Sequence, residues 1–179
     1  MKKKIAILGS TGSIGKSLID ILKKDRNNTE LQLISADTNI KEVLKQVNLF
    51  NVKNVIINND KKFFQLKKIL KNRKKNIYNN FNSINKIFYK KKIDYCMNAI
   101  SGLGGLDPTL KIIKHCKNIA IANKESIICG WSLINHELLK YQTKFIPIDS
   151  EHYSIYSLIG GLKNFNIEKI YITASGGPF

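Results

Sequence analysis

Glycines at positions 9, 12 and 15, set between an apolar run and a helical pattern, constrain this chain more than any other feature. The run KIAIL before them, with Ile5 to Leu8 at its centre, reads as a buried strand, and the residues after Gly15 take helical spacing. A strand, a glycine loop and a helix in that order form a phosphate cradle. Gly9 permits the tight turn, Gly12 lets a pyrophosphate approach the backbone, and Gly15 lets the helix pack close to the strand. The helix N-terminus adds unpaired N–H groups. Because the spacing is G-x-x-G-x-x-G rather than the commoner G-x-G-x-x-G, the dinucleotide reading rests on context. A second strand, Leu31 to Ser35, follows the helix at the expected distance. A glycine-rich turn without a ligand is the plainer alternative.

The rest of the chain keeps the same rhythm. Helices are expected around Ile14, Leu18, Ile21 and Leu22, around Val43, Leu44 and Val47, around Phe64, Ile69 and Leu70, and around Ile84, Ile87 and Phe88. Strands are expected at Asn54 to Ile57, Asn76 to Tyr78, Ile93 to Ile100, Ile119 to Ala122, Lys144 to Ile148 and Lys169 to Thr173. Asp107 and Pro108 read as an N-cap and first helical residue, and a further helix runs through Leu133, Leu138 and Leu139. Strands alternating with helices imply an α/β fold, a doubly wound parallel sheet of Rossmann-like type. Ligands of such sheets bind beyond the carboxyl ends of the strands, where every polar motif here lies.

At 179 residues the chain is long enough for one domain with a proper core and too short for two full ones. Its net charge of +17 invites a nucleic-acid reading, but the lysines are scattered over every segment and the runs at 71–75 and 90–92 read as solvated surface. Neither nucleic acid nor membrane is therefore expected as a partner. Cys96, Cys116 and Cys129 show no C-x-x-C spacing, which indicates neither a disulfide framework nor a cysteine zinc site. With a core strand beginning by residue 5 and no apolar run of membrane-spanning length, the expected compartment is the cytoplasm.

Three polar clusters carry possible chemistry. Asp149, Ser150, Glu151 and His152 follow the strand at 144–148. Carboxylates at i and i+2 can be turned toward one cation, and oxygen ligands suit Mg2+ or Mn2+. The same residues also fit a helix N-terminus, with Asp149 or Ser150 as cap and Glu151 favoured by the dipole. His152 reads as a packed or helix-turn histidine. Asn123, Lys124 and Glu125 end another strand and either reach a ligand or pair with solvent. Ser175, Gly176 and Gly177 offer backbone N–H groups to an anion.

Together, GSTGSIG (9–15), ANKES (122–126), DSEH (149–152) and ASGGPF (174–179) resemble the 1-deoxy-D-xylulose 5-phosphate reductoisomerases in order and spacing. Members of that family rearrange a phosphorylated ketose and reduce the resulting aldehyde with NADPH to 2-C-methyl-D-erythritol 4-phosphate, for isoprenoid synthesis. The resemblance implies that Thr11, Gly12, Ser13 and Ile14 hold the cofactor phosphates, that Asn39 lies near the adenosine, and that Asn123 and Glu125 line the cofactor side. It implies Asp149 and Glu151 as ligands of Mg2+ or Mn2+, which decides the open question of metal against cap in favour of metal. It assigns Lys124, Ser150 and Glu151 to the substrate, with Lys124 and Glu151 catalytic, and Ser175 to the substrate phosphate. The expected division is an NADPH-binding domain at 1–148 and the start of an α+β catalytic domain at 149–179.

Two departures stand out. Where the family usually has a small residue, then Lys or Arg, then Asn, this chain has Asp37, Thr38 and Asn39. An acidic residue some 20 positions beyond the loop favours an unphosphorylated ribose, yet NADPH remains the expected cofactor. Family members also continue for about as many residues again. The chain is therefore expected to be a fragment, inactive alone, of an enzyme that forms homodimers. Among rivals, short-chain dehydrogenases need Tyr-x-x-x-Lys, which none of the seven tyrosines provides. A semialdehyde dehydrogenase would need an activated cysteine, and no base is evident beside any of the three. A basic nucleic-acid module leaves DSEH and ANKES as accidents.

Overall fold

In the computed structural model, which describes residues 1–160 and 167–171, the glycine loop joins strand β1 (Lys3–Leu8) to helix α1 (Ser13–Lys24). Strand β2 (Thr29–Ala36) returns parallel beside β1. Helix α2 (Ile40–Phe50), strand β3 (Asn54–Ile57), helix α3 (Asp60–Ile69) and strand β4 (Asn76–Tyr78) extend the sheet in the same direction. A 3-10 turn at Phe81–Ser83 and the short α4 (Ile84–Ile87) then carry the chain back to β5 (Ile93–Asn98), which pairs with the free edge of β1. Helix α5 (Leu106–Ile113), strand β6 (Cys116–Ile121), helix α6 (Lys124–Tyr141) and strand β7 (Lys144–Pro147) complete a seven-stranded sheet of order β4-β3-β2-β1-β5-β6-β7. All pairings from β4 to β6 are parallel.

The order reverses between β1 and β5, and that reversal opens a crevice at the carboxyl ends of the strands. The chain forms two compact units, Met1–Ile146 and Pro147–Phe179. The second contains α7 (Ser150–Gly160), which begins directly after Asp149 and is largely exposed along its described side chains. Among the described residues, no helix is long and apolar enough to cross a membrane.

Both faces of the sheet are covered, so the central strands are apolar without interruption. In β1, Ala6, Ile7 and Leu8 are all fully buried although neighbours point to opposite faces. Ala6, Leu8, Leu33 and Ile56 pack with Ile84, Ile112, Ile119 and Ile134 on the side of α4, α5 and α6. Each leucine or isoleucine among them contributes about 1.5–3 kcal/mol by leaving water.

The strands at Asn54–Ile57 and Asn76–Tyr78 form with the expected bounds, whereas several helix faces are turned from those expected. In α1 the buried residues are Gly15, Ile19 and Leu22, and Ile14 and Ile21 face solvent. The cause is Gly15: a side chain there would strike the Gly9 carbonyl oxygen, so this position must face the loop and the rest of the helix follows. Next to the expected and buried Leu70, Phe63 and Leu66 of α3 are buried while Phe64 and Ile69 are exposed, and in α6 the expected Leu138 is buried with Ile134 while Leu133 and Leu139 are exposed. Asp107 is not an N-cap. A 3-10 turn at Leu103–Gly105, entered through Gly102 at φ +68°, starts the helix at Leu106, and Asp107 instead pairs with Lys111 at 2.6 Å. Residues 169–171 form no strand, and the remainder of the expected strand to Thr173 lies outside the described residues.

Candidate functional site

The glycine loop is held from below by buried partners. Gly9, at φ +78°, sits where an added Cβ would come within 2.7 Å of the Ala99 carbonyl oxygen, so only glycine fits between β1 and β5. Its N–H donates to Ser35 Oγ at 3.0 Å, and the Ser10 N–H donates to the Ser35 carbonyl at 2.8 Å. Ser10 is completely buried. Its hydroxyl donates to Gln46 Oε1 at 2.7 Å, while Gln46 Nε2 donates back to the Ser10 carbonyl at 3.0 Å. A single amide from α2 therefore serves both the hydroxyl and the carbonyl of one loop residue.

Gly12 differs from its two neighbours. It is the N-cap of α1 at φ −74°, and an added Cβ would meet nothing closer than 3.6 Å. With no side chain to cap the helix, the first-turn N–H groups of α1 remain available, as an anion requires.

The opposite wall follows β5 and β6. Asn98, fully buried at the end of β5, donates from Nδ2 to the Gly105 carbonyl at 2.8 Å and accepts the Ile100 N–H at 3.1 Å. Thr109 donates to the same Gly105 carbonyl. Asn123 uses both ends of its amide: Nδ2 donates to the Ile100 carbonyl at 2.8 Å and Oδ1 accepts the Ser126 N–H at 3.0 Å, capping α6. A side chain at Gly105 would collide with that amide, which explains the glycine.

Between these walls lies a cavity of about 350 Å3 at the strand ends, lined by Gly9, Thr11 and Gly12 on one side and Ala99, Ile100 and Ser101 on the other. Asp37 closes it beyond β2, with Asn58 and Phe81 beside it. A second recess of about 190 Å3 shares Ala99, Ile100 and Ser101 and adds Ile14, Asn123 and Glu125. Five of the residues expected to bind the cofactor thus line one continuous crevice. Ser13 opens α1 and is exposed, and Lys124 is the exposed first residue of α6. Asn39 lines neither space and spends its side chain accepting the Glu42 N–H at 3.1 Å, capping α2.

In the second unit, Asp149 accepts the His152 Nδ1 contact at 2.9 Å on Oδ1, and its carbonyl accepts the Tyr153 N–H at 2.8 Å. Ser150 donates to Glu151 Oε2 at 2.8 Å. Asp149 thus precedes α7 and Glu151 sits in its first turn, the cap geometry, with oxygens of the hard type that Mg2+ takes from one or two carboxylates, waters and substrate. Among the described residues, no group of three or more His, Cys, Asp or Glu side chains could hold a metal ion. Ser175 lies outside the described residues.

Among the described residues, no cysteine lines either space. Burial raises the Cys96 thiol well above its ordinary value and pushes Cys116 up to about 12, so both are inert.

Residues 5–130 match the family described as 1-deoxy-D-xylulose 5-phosphate reductoisomerase. The chain belongs to this family. Residues 145–179 match the 1-deoxy-D-xylulose 5-phosphate reductoisomerase C-terminal domain. A reductoisomerase of Pelagibacter ubique is 60% identical over 178 residues, covering 99% of this chain and 46% of that protein. The chain thus spans about half the length of the curated relatives it matches. Among solved structures, the Zymomonas mobilis reductoisomerase in complex with NADPH superposes with a TM-score of 0.77 at 28% identity, covering 85% of this chain and 40% of the other. A reductoisomerase in complex with NADPH, fosmidomycin and magnesium gives 0.79 at 27% identity, covering 87% and 38%.

Gln46, Asn98 and Thr109 are the functional supports that the sequence did not announce. Gln46 left one trace, a polar residue beside Val43 and Val47 on the buried face of α2.

Proposed function

We propose that residues 1–148 form the NADPH-binding domain, and that residues 149–179 begin the metal- and substrate-binding region, of an enzyme acting on 1-deoxy-D-xylulose 5-phosphate. The reaction is a carbon-skeleton rearrangement followed by reduction to 2-C-methyl-D-erythritol 4-phosphate. The observation that carries this reading is the crevice at the sheet's reversal, floored by the glycine loop and continuous with the recess at Ile14, Asn123 and Glu125.

In this proposal the backbone of Thr11, Gly12, Ser13 and Ile14 receives the cofactor phosphates at the uncapped end of α1. Asn39 stands on the adenosine side, and Asn123 and Glu125 border the nicotinamide-bearing side. The fixed wall matters because hydride transfer demands a near-attack geometry, and the two-ended Asn123 amide locks that wall to α6. Asp149 and Glu151 would hold Mg2+ or Mn2+. Such a cation supplies Lewis acidity toward a ketone and its neighbouring hydroxyl. Lys124, Ser150 and Glu151 contact the sugar phosphate, and Ser175 its phosphate group. The homodimer and the cytoplasmic setting belong to the same proposal and rest on the family likeness.

Oxidation of NADPH by the gene product carrying this sequence tests the reading. Consumption that requires both the sugar phosphate and a divalent cation is the expected result. Folded protein that binds no nicotinamide dinucleotide would contradict it.

A further inference from the structure

One charged side chain lines the main cavity, and it has the wrong sign for a phosphorylated ribose. Among the residues lining the 350 Å3 space, Asp37 is the one bearing a charge, in a chain whose net charge is +17. Its place is fixed by the fold: the Ala36 carbonyl accepts the Asn58 N–H at 3.1 Å and the Asp37 carbonyl accepts the Asn59 N–H at 3.4 Å, pinning the end of β2 to the chain beyond β3. The side chain itself is exposed, and among the described residues no ion pair with a lysine or arginine occupies it. Thr38, the next residue, brings no cation.

The carboxyl end of the second strand in such a fold is where the adenosine ribose lies, and a carboxylate there accepts the hydrogen bond of a 2′-hydroxyl. A 2′-phosphate brought to the same point meets a like charge with no cation in the lining to offset it. We propose that Asp37 is a specificity-determining residue that opens this site to the unphosphorylated dinucleotide, so that NADH is bound on a par with NADPH. The inference rests on the cofactor reading proposed above and deepens it.

Calorimetric titration of the chain with NADH and with NADPH, for the parent sequence and for Asp37→Ser, decides the matter. Because Asp37 is exposed and its structural hydrogen bond comes from the backbone, the variant keeps the fold, which its melting temperature checks. The parent is expected to bind the two dinucleotides within about fivefold of each other. Asp37→Ser should shift the ratio toward NADPH by roughly five- to tenfold, the effect of removing one like charge at a partly exposed site. Parent protein that binds NADPH more than about fiftyfold tighter, or a ratio that Asp37→Ser leaves unchanged, overturns the role given to Asp37 while leaving the cofactor site intact. Folded parent protein that binds neither dinucleotide removes the cofactor reading, and this inference with it.

Discussion

The glycine loop and the Asp149–Glu151 turn are both expected to meet ligands, yet they are built in opposite ways. Around the loop, Gly9 and Ser10 are held by Ser35, Gln46 and Ala99, residues distant in sequence and in or next to buried strands and helix α2. In the Asp149–Glu151 turn, Glu151 is exposed and accepts a hydrogen bond from its neighbour Ser150 at 2.8 Å. The first site is organised by the whole sheet before any ligand arrives. The second is a helix turn whose exposed Glu151 carboxylate leans on its neighbour in the chain and little else of the fold. Preorganisation of this kind lowers the ordering cost of binding, so the loop should be sensitive to changes in its support and the turn should not.

The strongest way to break this contrast is Gly15→Val. The added side chain would press on the Gly9 carbonyl and the Ser10 backbone, and overpacking against backbone costs about 3 kcal/mol or more. Urea unfolding should show that loss, and a stability within about 0.5 kcal/mol of the parent would mean that the loop yields easily.

A gentler test pairs Gln46→Leu with Glu151→Gln. Removing the Gln46 amide strands the buried Ser10 hydroxyl and carbonyl, for a loss of about 1–3 kcal/mol together with weaker dinucleotide binding. The exposed Glu151 should change stability by less than about 0.5 kcal/mol. Equal effects at the two positions would erase the distinction.

The smallest effect concerns the opposite rim of the sheet. Asp94 is held below the usual carboxylate range, first by the hydrogen bond from Lys117 Nζ at 2.8 Å and next by the Lys4 N–H. Because its folded value is lowered, the unfolded chain takes up the proton first as pH falls. The stabilisation is therefore present above the ordinary value of about 3.9 and is lost as pH drops through the folded value. Urea midpoints measured from pH 6 down to pH 3 should fall less steeply for Asp94→Asn, about pH 4 and below. Dinucleotide affinity at neutral pH should be unaffected by that change.

Much of this architecture was legible in the residues alone. Apolar runs bounded by turn residues placed β3 at Asn54–Ile57 and β4 at Asn76–Tyr78, and the glycine spacing located the crevice. Helix existence was legible, but helix phase was not. Ile14 and Ile21 satisfy helical spacing as well as Ile19 and Leu22 do, and the choice between the two faces is made by the contact of Gly15 with the loop. The same holds for Phe64 against Phe63 in α3. At Asp107-Pro108 the local cap signal lost to a 3-10 turn that starts the helix two residues earlier. The supports of the site were hidden for a related reason: Gln46 and Asn98 act on residues far away or through backbone carbonyls, and neither relation leaves a pattern in a linear sequence.

The central claim is that the loop is a finished phosphate cradle, and Gly12→Val tests it most directly. At φ −74°, with no neighbour closer than 3.6 Å to the new Cβ, valine can be accommodated without disturbing the fold, while filling the space where a pyrophosphate would approach. Calorimetric titration with NADPH should show binding by the parent and a loss of at least about a hundredfold in the variant at an unchanged melting temperature. Binding of equal strength by both proteins would contradict the account.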